Sequence, residues 1–186
     1  MREDTEQADE AIVARVTSGE TDAYAILMQR YEQKLLRYVT YLIHDQFTAR
    51  DVVQETFIKA YQNLRGFNPK YRFSPWIYRI AHNEAMNALK KSGRHPADDI
   101  DTLPDVSYDA RLDELLDVEL VKHHVNGCLS QLEPKYREVV QLVYFEGMKY
   151  EDVSDVLHLP VSTVGVWLSR AKAKLKQICE AKGVKK

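Results

Sequence analysis

The sequence predicts an all-α fold made of two small helical domains joined by an acidic, flexible linker. Apolar residues recur at helical spacing along most of the chain, and only 7 glycines and 6 prolines interrupt its 186 residues. A stretch rich in aspartate and glutamate separates the two helical parts. We therefore assign the first domain to residues 1–93, the linker to 94–117 and the second domain to 118–186.

Four helices are predicted in the first domain, and the first two follow from apolar spacing alone. A short helix covers residues 8–18, and a turn at 19–22 leads into a longer helix over 23–43. Apolar side chains at helical spacing allow the longer helix to pack on the third one. They are Ile26, Leu27, Tyr31, Leu35, Tyr38 and Leu42.

The third and fourth helices have recognisable starts. Thr48 and Asp51 fit a capping box, which predicts that the third helix begins at Thr48. The fourth begins at Ser74 and Pro75, because proline lacks only an N–H group that would be unpaired in a first turn. The domain should end near Gly93. The core-facing stripe of the third helix consists of Val53, Phe57, Ala60, Tyr61 and Leu64.

Two surfaces of opposite charge lie side by side on these helices. The outward face of the third helix is acidic and amide-rich with one apolar residue, a mixture that suits a protein partner. It consists of Asp51, Gln54, Glu55, Ile58 and Gln62. Around the fourth helix, cations far outnumber the lone acid Glu84, and such positive charge attracts a phosphate backbone through counterion release. The cations are Arg65, Lys70, Arg72, Arg79, Lys90, Lys91 and Arg94.

Aromatic side chains near these cations can hold an unstacked base. Aromatics at helical spacing more often belong to the core, so we assign Trp76 a mainly structural role. The polar loop between the third and fourth helices offers better candidates for contact with an extruded base. They are Phe67, Asn68 and Tyr71.

The segment between residues 92 and 119 has a different composition from the rest of the chain. Its carboxylates far outnumber its arginines, and it includes Pro96 and Pro104. The earlier part should be extended or disordered because it has little apolar surface to bury. A solvated linker is the general expectation for such a segment.

The second domain has the spacing of a helix-turn-helix. Helices are predicted over 112–132, 134–145 and 150–157, and Gly147 stands where the second of them should stop. A turn at His158, Leu159 and Pro160 then leads into a last helix that begins at about Ser162.

The last helix has one buried line and one face available to the major groove. The buried line is Val164, Leu168, Ala171 and Leu175, and the available residues are Ser162, Thr163, Val166, Trp167, Ser169 and Arg170. Trp167 fits a core position beside Leu168 equally well. Lys174 belongs to a lysine-rich segment that would contact phosphates.

Composition and cysteine usage limit the other possibilities. The formal net charge of −2 averages over blocks of opposite sign, so it does not exclude DNA binding. Cys128 and Cys179 are too few and too far apart for a disulfide framework or a CxxC metal site, which fits a reducing interior. A metal clip of His124 and Cys128, one helical turn apart, would lack two further ligands, so we expect no metal.

The chain also shows no membrane segment and no catalytic motif. No apolar run reaches membrane-spanning length, and the acidic start is unlike a secretory signal, so we expect a cytoplasmic protein. A phosphate loop, a Gly-rich fingerprint, a G-x-S-x-G elbow and an H-E-x-x-H pair are all missing. We therefore expect neither an enzyme nor a cofactor.

Two motifs stand in order and at a distance that makes them far more specific together than apart. They are Asp51-Val52-Val53-Gln54-Glu55-Thr56-Phe57 and Phe73-x-x-Trp76-Ile77-x-x-Ile80-Ala81-x-Asn83. With the helix-turn-helix, they make almost the whole chain resemble the bacterial extracytoplasmic-function (ECF) sigma factors, a two-domain group of sigma-70-type initiation subunits of RNA polymerase.

The resemblance implies roles for particular residues. Core RNA polymerase would dock on Asp51, Gln54, Glu55 and Ile58. The first domain would bind and melt the −10 promoter element through Phe67, Asn68, Tyr71, Arg72, Arg79, Asn83 and Asn87. The loop before the fourth helix and the start of that helix would capture a flipped base, and Asn83 and Asn87 would make polar contacts from the helix. The second domain would bind the −35 element through Ser162, Thr163, Val166, Trp167, Arg170 and Lys174.

The resemblance also implies partners. The linker would pass through polymerase near the active-site and RNA-exit channels, where an acidic strand could mimic nucleic acid. An anti-sigma protein would cover the docking and DNA surfaces.

The sequence departs from the family pattern in the helix-turn-helix. Ser154 and His158 stand where generic members have a small residue and glycine, and histidine tolerates a left-handed backbone, so the turn should survive. Gly165, Val166 and Trp167 replace polar or basic groups. Val166 and Trp167 can offer methyl or stacking contacts to bases, with at most the indole N–H as a donor.

Two other classes of function remain open. A free-standing regulator would use the helix-turn-helix alone, with the first domain sensing a ligand or mediating dimerisation, and would bind duplex tightly without polymerase. A sigma-like decoy or adaptor would bind core polymerase yet fail to start transcripts.

Overall fold

The structure is a computed structural model that describes residues 7–93, 127–129 and 131–181. Throughout these residues the regular structure is helical and includes no strand, which confirms the predicted all-α fold. The chain divides into two compact units near residue 94. The predicted linker at 94–117 and most of the helix predicted over 112–132 lie outside the described residues.

The first unit contains four α-helices: α1 (Asp9–Thr17), α2 (Tyr24–Ile43), α3 (Gln46–Asn63) and α4 (Phe73–Ser92). Short 3-10 turns at Thr21–Ala23 and Leu64–Gly66 precede α2 and follow α3. Helix α3 packs against both α2 and α4, while α1 packs mainly on the turn at Thr21–Ala23 and on α2. The largest fully buried side chains of this unit are Tyr38, Tyr78, Phe73, Ile12, Leu27, Leu35 and Ile77.

The start of α3 differs from the prediction. The expected capping box of Thr48 and Asp51 is wrong, because the helix already begins at Gln46. The side chain of Asp45 is the cap: its carboxylate accepts the backbone N–H groups of Phe47 and Thr48, both at 3.2 Å. His44, in the left-handed conformation with φ of 58°, ends α2 and brings Asp45 into that position.

Helix α4 begins at Phe73, just before the predicted Ser74 and Pro75. Arg72 occupies the N-cap position and makes no side-chain capping hydrogen bond. The helix ends at Ser92, and Gly93 follows with φ of 68°, a backbone angle that glycine adopts without steric cost. This agrees with the end predicted for the helix.

The second unit contains α5 (Pro134–Val140), α6 (Tyr150–Leu157) and α7 (Val161–Ala181). Helix α5 continues as a π-helical segment, Gln141–Phe145, and Gly147 follows at φ of 64°. His158 has φ of 54°, so the left-handed turn predicted between α6 and α7 is confirmed. Ser154 supports that turn, since its Oγ donates to the Leu159 carbonyl and its own carbonyl accepts the Leu159 N–H at 3.1 Å.

The two cysteines correct a prediction. They are 51 residues apart in sequence, yet Cys128 and Cys179 form a disulfide with their Cα atoms 5.6 Å apart. Sequence distance misled the prediction because α7 packs on α5, and its last turns reach the segment at residues 127–129. His124 lies outside the described residues. Within the described ranges, no three histidine, cysteine, aspartate or glutamate side chains are grouped to hold a metal ion.

None of the described helices is both long enough and apolar enough to span a membrane.

Candidate functional site

An open groove runs between α2 and α3 on the surface of the first unit. Its volume is about 940 Å³, and its lining includes Leu36, Val53 and Phe57 together with polar residues such as Glu32 and Gln62. Three further large apolar side chains of the lining are unusually exposed for their type. They are Met28, Ile58 and Tyr61, with exposed fractions of 42%, 43% and 44%.

The four residues predicted to dock a protein partner lie along this groove. Asp51, Gln54, Glu55 and Ile58 are all solvent-exposed on α3. Gln54 and Ile58 line the groove itself. Their spacing along one helix puts Asp51 and Glu55 on the same outward face, so carboxylates flank the apolar lining.

Tyr24 joins the two helices beneath the groove. Its hydroxyl donates to the Phe57 carbonyl at 2.8 Å, and burial raises the pKa of Tyr24, with Tyr61 adding to the shift. The Tyr24 ring lies edge-on to Tyr61, with centroids 5.0 Å apart. The prediction that Tyr61 faces the core is wrong, because its side chain is exposed in the groove and packs against the Tyr24 ring.

The outward face of α4 carries polar groups at a spacing of four residues. Arg79 is half-buried, and Asn83 and Asn87 are exposed. Because residues four apart share one helix face, the three predicted −10 contacts of this helix lie in a row. Asn87 also lines a small polar pocket of about 430 Å³ with Lys90 and Lys91.

An ion pair neutralises the single acid of this helix face. Lys59 of α3 contacts Glu84 of α4 at 2.7 Å and Glu55 at 3.7 Å. The hydrogen bond to Glu84 is the main reason that the pKa of Lys59 is raised, and the nearby negative charges of Glu84 and Glu55 add to it. Glu84 is therefore compensated from the neighbouring helix.

The loop before α4 presents an exposed tyrosine. Tyr71 is 66% exposed, and Asn68 and Arg72 are exposed as well. Asn68 shapes the loop, because its side-chain oxygen accepts the Lys70 N–H at 3.0 Å. Phe67 is only 8% exposed, so this predicted contact residue belongs mainly to the packing beneath the loop.

A cluster of rings supports the loop from inside. Phe67 packs against Phe73 and Trp76, with centroids 5.8 and 5.2 Å apart, and Phe73 packs against Trp76 at 5.5 Å. Trp76 is half-buried in this cluster. Its packing agrees with the predicted structural role.

The first half of the proposed recognition helix α7 has several small side chains at the surface. Ser162, Val166 and Arg170 are exposed, while Thr163 is half-buried. Val164, Leu168 and Ala171 are buried as predicted, and Leu175 is only half-buried.

Two other predicted −35 contacts of α7 have partners within the unit. Trp167 is half-buried, with its ring edge-on to Tyr136 at 6.3 Å. Lys174 pairs with Glu133 and lies over the Tyr136 ring at 4.9 Å. Two of the side chains predicted to contact DNA thus also have partners at α5 or just before it, although the Lys174 side chain remains 43% exposed in its ion pair.

Sequence reasoning missed the residues of α1 that hold the site together. Glu10 accepts a backbone hydrogen bond from Phe73, and Asp9 contacts Arg30 and Tyr31 of α2. Acidic residues in a first helical turn are common for their interaction with the helix dipole, so no local pattern distinguishes these two.

Comparisons with known proteins identify the family. The family model for sigma-70 region 2 matches residues 27–95, and the family model for sigma-70 region 4 matches residues 125–175. RNA polymerase sigma-H factor of Pseudomonas aeruginosa is 35% identical over 177 residues, covering 90% of this chain and 92% of that protein. ECF RNA polymerase sigma-E factor of Haemophilus influenzae is 33% identical over 174 residues, covering 88% of this chain and 91% of that protein.

Solved structures agree with these matches. CnrH, in complex with the cytosolic domain of CnrY, superposes with a TM-score of 0.68 at 26% identity, covering 94% of this chain and 99% of that one. The sigma factor RpoE of Bartonella quintana, in complex with the anti-sigma factor NepR, shares the fold with a TM-score of 0.62 at 23% identity, over 83% and 96% of the two chains. With both regions matched and relatives above 30% identity along most of its length, the chain belongs to the ECF group of the sigma-70 family of RNA polymerase sigma factors.

Proposed function

We propose that this sigma factor docks on core RNA polymerase through the face of α3 formed by Asp51, Gln54, Glu55 and Ile58. The observation that carries the proposal is the exposure of all four beside an open apolar groove. Such grooves accept the apolar face of a partner helix. The carboxylates of Asp51 and Glu55 add electrostatic selection for a partner with basic flanks.

The first unit then opens the −10 element by capturing an extruded base. Tyr71 and Asn68 in the exposed loop offer stacking and hydrogen bonding to that base, and Arg72 lies beside them. Arg79, Asn83 and Asn87 along α4 contact the same strand. Flipping a base costs about a few kcal/mol in lost stacking and pairing, which stacking on Tyr71 and phosphate contacts offset.

The second unit binds the −35 duplex with α7 in the major groove. Ser162, Val166 and Arg170 approach the base edges, because they are exposed on one side of the helix. Val166 suits the methyl group of thymine, and Arg170 suits guanine or a phosphate. Thr163, Trp167 and Lys174 contribute at the edges of this face.

This role sets the partners and the compartment. The protein works in the cytoplasm, where polymerase and promoter DNA are, and catalysis belongs to polymerase. An anti-sigma protein covers the groove and keeps the factor inactive. A free-standing transcription regulator would explain neither the groove nor the match to sigma-70 region 2.

Binding to purified core polymerase tests the docking proposal. Charge reversal by Asp51→Arg or Glu55→Arg should weaken the affinity for core at least about tenfold, since like charges across an interface cost several kcal/mol. Asp22→Arg is the matched control, because Asp22 is exposed and lies outside the groove lining. Unchanged core affinity in both docking variants would reject the proposal.

A further inference from the structure

The first turn of α4 is anchored by a residue 63 positions earlier in the chain. The backbone N–H of Phe73 donates to Glu10 Oε1 of α1, with N and O 2.8 Å apart. Arg72 at the N-cap position makes no side-chain capping bond. The first N–H groups of a helix have no partner within the helix, and a carboxylate is favoured there by the helix dipole. Glu10 therefore does for α4 what a local cap does elsewhere.

Asp9, the neighbour of Glu10, fixes α1 on α2. Its Oδ1 pairs with Arg30 Nη1 at 2.6 Å, and its Oδ2 accepts the Tyr31 hydroxyl at 2.5 Å. Side chains of Asp9 and Arg30 are 21% and 22% exposed, so the pair is largely withdrawn from water. Burial and the hydrogen bond to Asp9 raise the pKa of Tyr31. Two consecutive carboxylates thus bind α1 to two different helices.

Phe73 links the start of α4 to the loop that precedes it. The centroid of its ring lies 5.5 Å from that of Tyr31, 5.8 Å from that of Phe67 and 5.5 Å from that of Trp76. Phe67 stands at the beginning of the loop and Phe73 at its end, so both ends rest on one cluster. The exposed residues between them include Asn68 and Tyr71. Their positions depend on where Phe73 is held.

We propose that Glu10 is a positioning residue for base capture: by accepting the Phe73 N–H, it fixes the start of α4 and the loop in the geometry that receives an extruded base. This inference rests on the proposed −10 function. Glu10 touches no DNA itself. The acceptor oxygen carries most of the role, and the negative charge adds only a smaller interaction with the helix dipole, so glutamine, which keeps the oxygen, should replace glutamate with little loss.

The test uses the full chain and a single-stranded DNA probe. A fluorescent strand is selected from a random pool by the wild-type protein, and copies are made in which one nucleotide at a time is abasic. Fluorescence anisotropy then gives the affinity for each copy. The ratio between the intact strand and the most sensitive abasic copy measures base capture separately from phosphate attraction, which every copy retains.

Loss of the acceptor should reduce base capture selectively. Glu10→Ala should lower affinity for the intact strand about fivefold to tenfold, as expected for a lost helix cap, and leave affinity for the most sensitive abasic copy nearly unchanged. Glu10→Gln should stay within about twofold of wild type. Glu10→Leu keeps the volume without the acceptor and should behave like Glu10→Ala. Glu20→Ala is the matched control, because Glu20 pairs with Arg15 of α1 and does not contact α4.

Several results would overturn the inference. An unchanged ratio in Glu10→Ala and Glu10→Leu would do so while leaving the proposed function intact. The ratio is unchanged when neither affinity falls and also when both affinities fall equally. A loss in Glu10→Gln as large as in Glu10→Ala would show that charge is what matters. Unchanged core polymerase affinity verifies that each variant is folded. If no abasic copy weakens wild-type binding, base capture itself fails, and the proposed −10 function fails with it.

Discussion

The two units fix their proposed DNA-binding helices in different ways. Helix α4 of the first unit is held from behind and at its start: Glu10 caps it, and a ring cluster that includes Phe67 packs under the adjoining loop. Its outward side chains Arg79, Asn83 and Asn87 remain at the surface. On α4, the side chains predicted to bind DNA are therefore separate from those that support the helix, whereas Phe67 of the loop was predicted to bind DNA and serves as support.

Helix α7 of the second unit is supported in part by residues that were predicted to contact DNA. Lys174 pairs with Glu133, Trp167 packs on Tyr136, and Cys179 is bonded to Cys128. In the first half of the helix, the exposed residues are Val161, Ser162, Val166, Ser169 and Arg170. A small-residue face lets the backbone approach a duplex closely, whereas the projecting loop of the first unit suits a base that has left the stack.

The largest expected effect concerns the disulfide, which only the second unit contains. Reduction should lower the stability of that unit, because a crosslink between residues 51 apart constrains the unfolded chain by up to about 4 kcal/mol in the loop-entropy model. Hydrogen exchange with and without dithiothreitol assigns the change to each unit. The first unit has no cysteine and is the internal control. Cys128→Ser should remove the response, and equal responses in both units would contradict the comparison.

Removing the exposed ring of the loop should affect single-stranded DNA alone. Tyr71→Ala should weaken binding of a −10 single strand about 5- to 100-fold, which corresponds to the loss of one stacked base. Affinity for a −35 duplex should not change. Phe47→Ala is the matched control, since Phe47 is an exposed aromatic (79%) at the start of α3. Equal losses in both variants, or a loss on duplex, would refute separate binding surfaces.

Within α7, an outward cation should matter more than a paired one. Arg170→Ala should weaken −35 duplex binding about 3- to 10-fold, and it should reduce the salt slope by about 1 if Arg170 contacts a phosphate. Lys174→Ala should cost less, because Lys174 is already engaged by Glu133. Titrations of duplex at several salt concentrations measure both. If Lys174→Ala lost more duplex affinity than Arg170→Ala, Lys174 would be the DNA contact and the assignment of Arg170 would be wrong.

The smallest expected effect comes from the ion pair behind α4. Lys59→Gln should weaken −10 single-strand binding a few-fold at low salt, since Glu84 would then repel phosphates without compensation. Adding Glu84→Gln should restore most of the affinity. A double-mutant cycle by anisotropy gives the coupling directly. Additive losses would show that Lys59 acts as an independent phosphate contact.

Periodicity predicted most of the fold because it is a local property. The extent of α2, the glycine that ends α4 and the left-handed His158 were all readable from neighbouring residues. The exposure of the residues predicted to dock a partner followed from the same spacing, since helix faces repeat along the sequence. Helix starts were less accurate, because Asp45 could cap α3 earlier than Thr48.

Contacts between distant residues were not readable. Glu10 and Phe73 are 63 positions apart, and Cys128 and Cys179 are 51 apart, so no spacing rule links them. Tyr61 and Trp167 show the same limit at the level of burial. The spacing of apolar residues predicts which side of a helix a residue lies on. It does not predict whether a groove leaves that side chain exposed, as for Tyr61, or whether a neighbouring ring covers it, as for Trp167.

The central claim is that an acidic, groove-bearing helix holds polymerase while the neighbouring basic helix and loop open the promoter. Run-off transcription with purified core on promoter templates selected by the protein tests it most directly. We expect a specific transcript only when core and the wild-type protein are both present, no transcript with Glu55→Arg, and partial recovery of Tyr71→Ala on a template already melted at −10. Tight duplex binding without core, together with no transcript from any template, would contradict it.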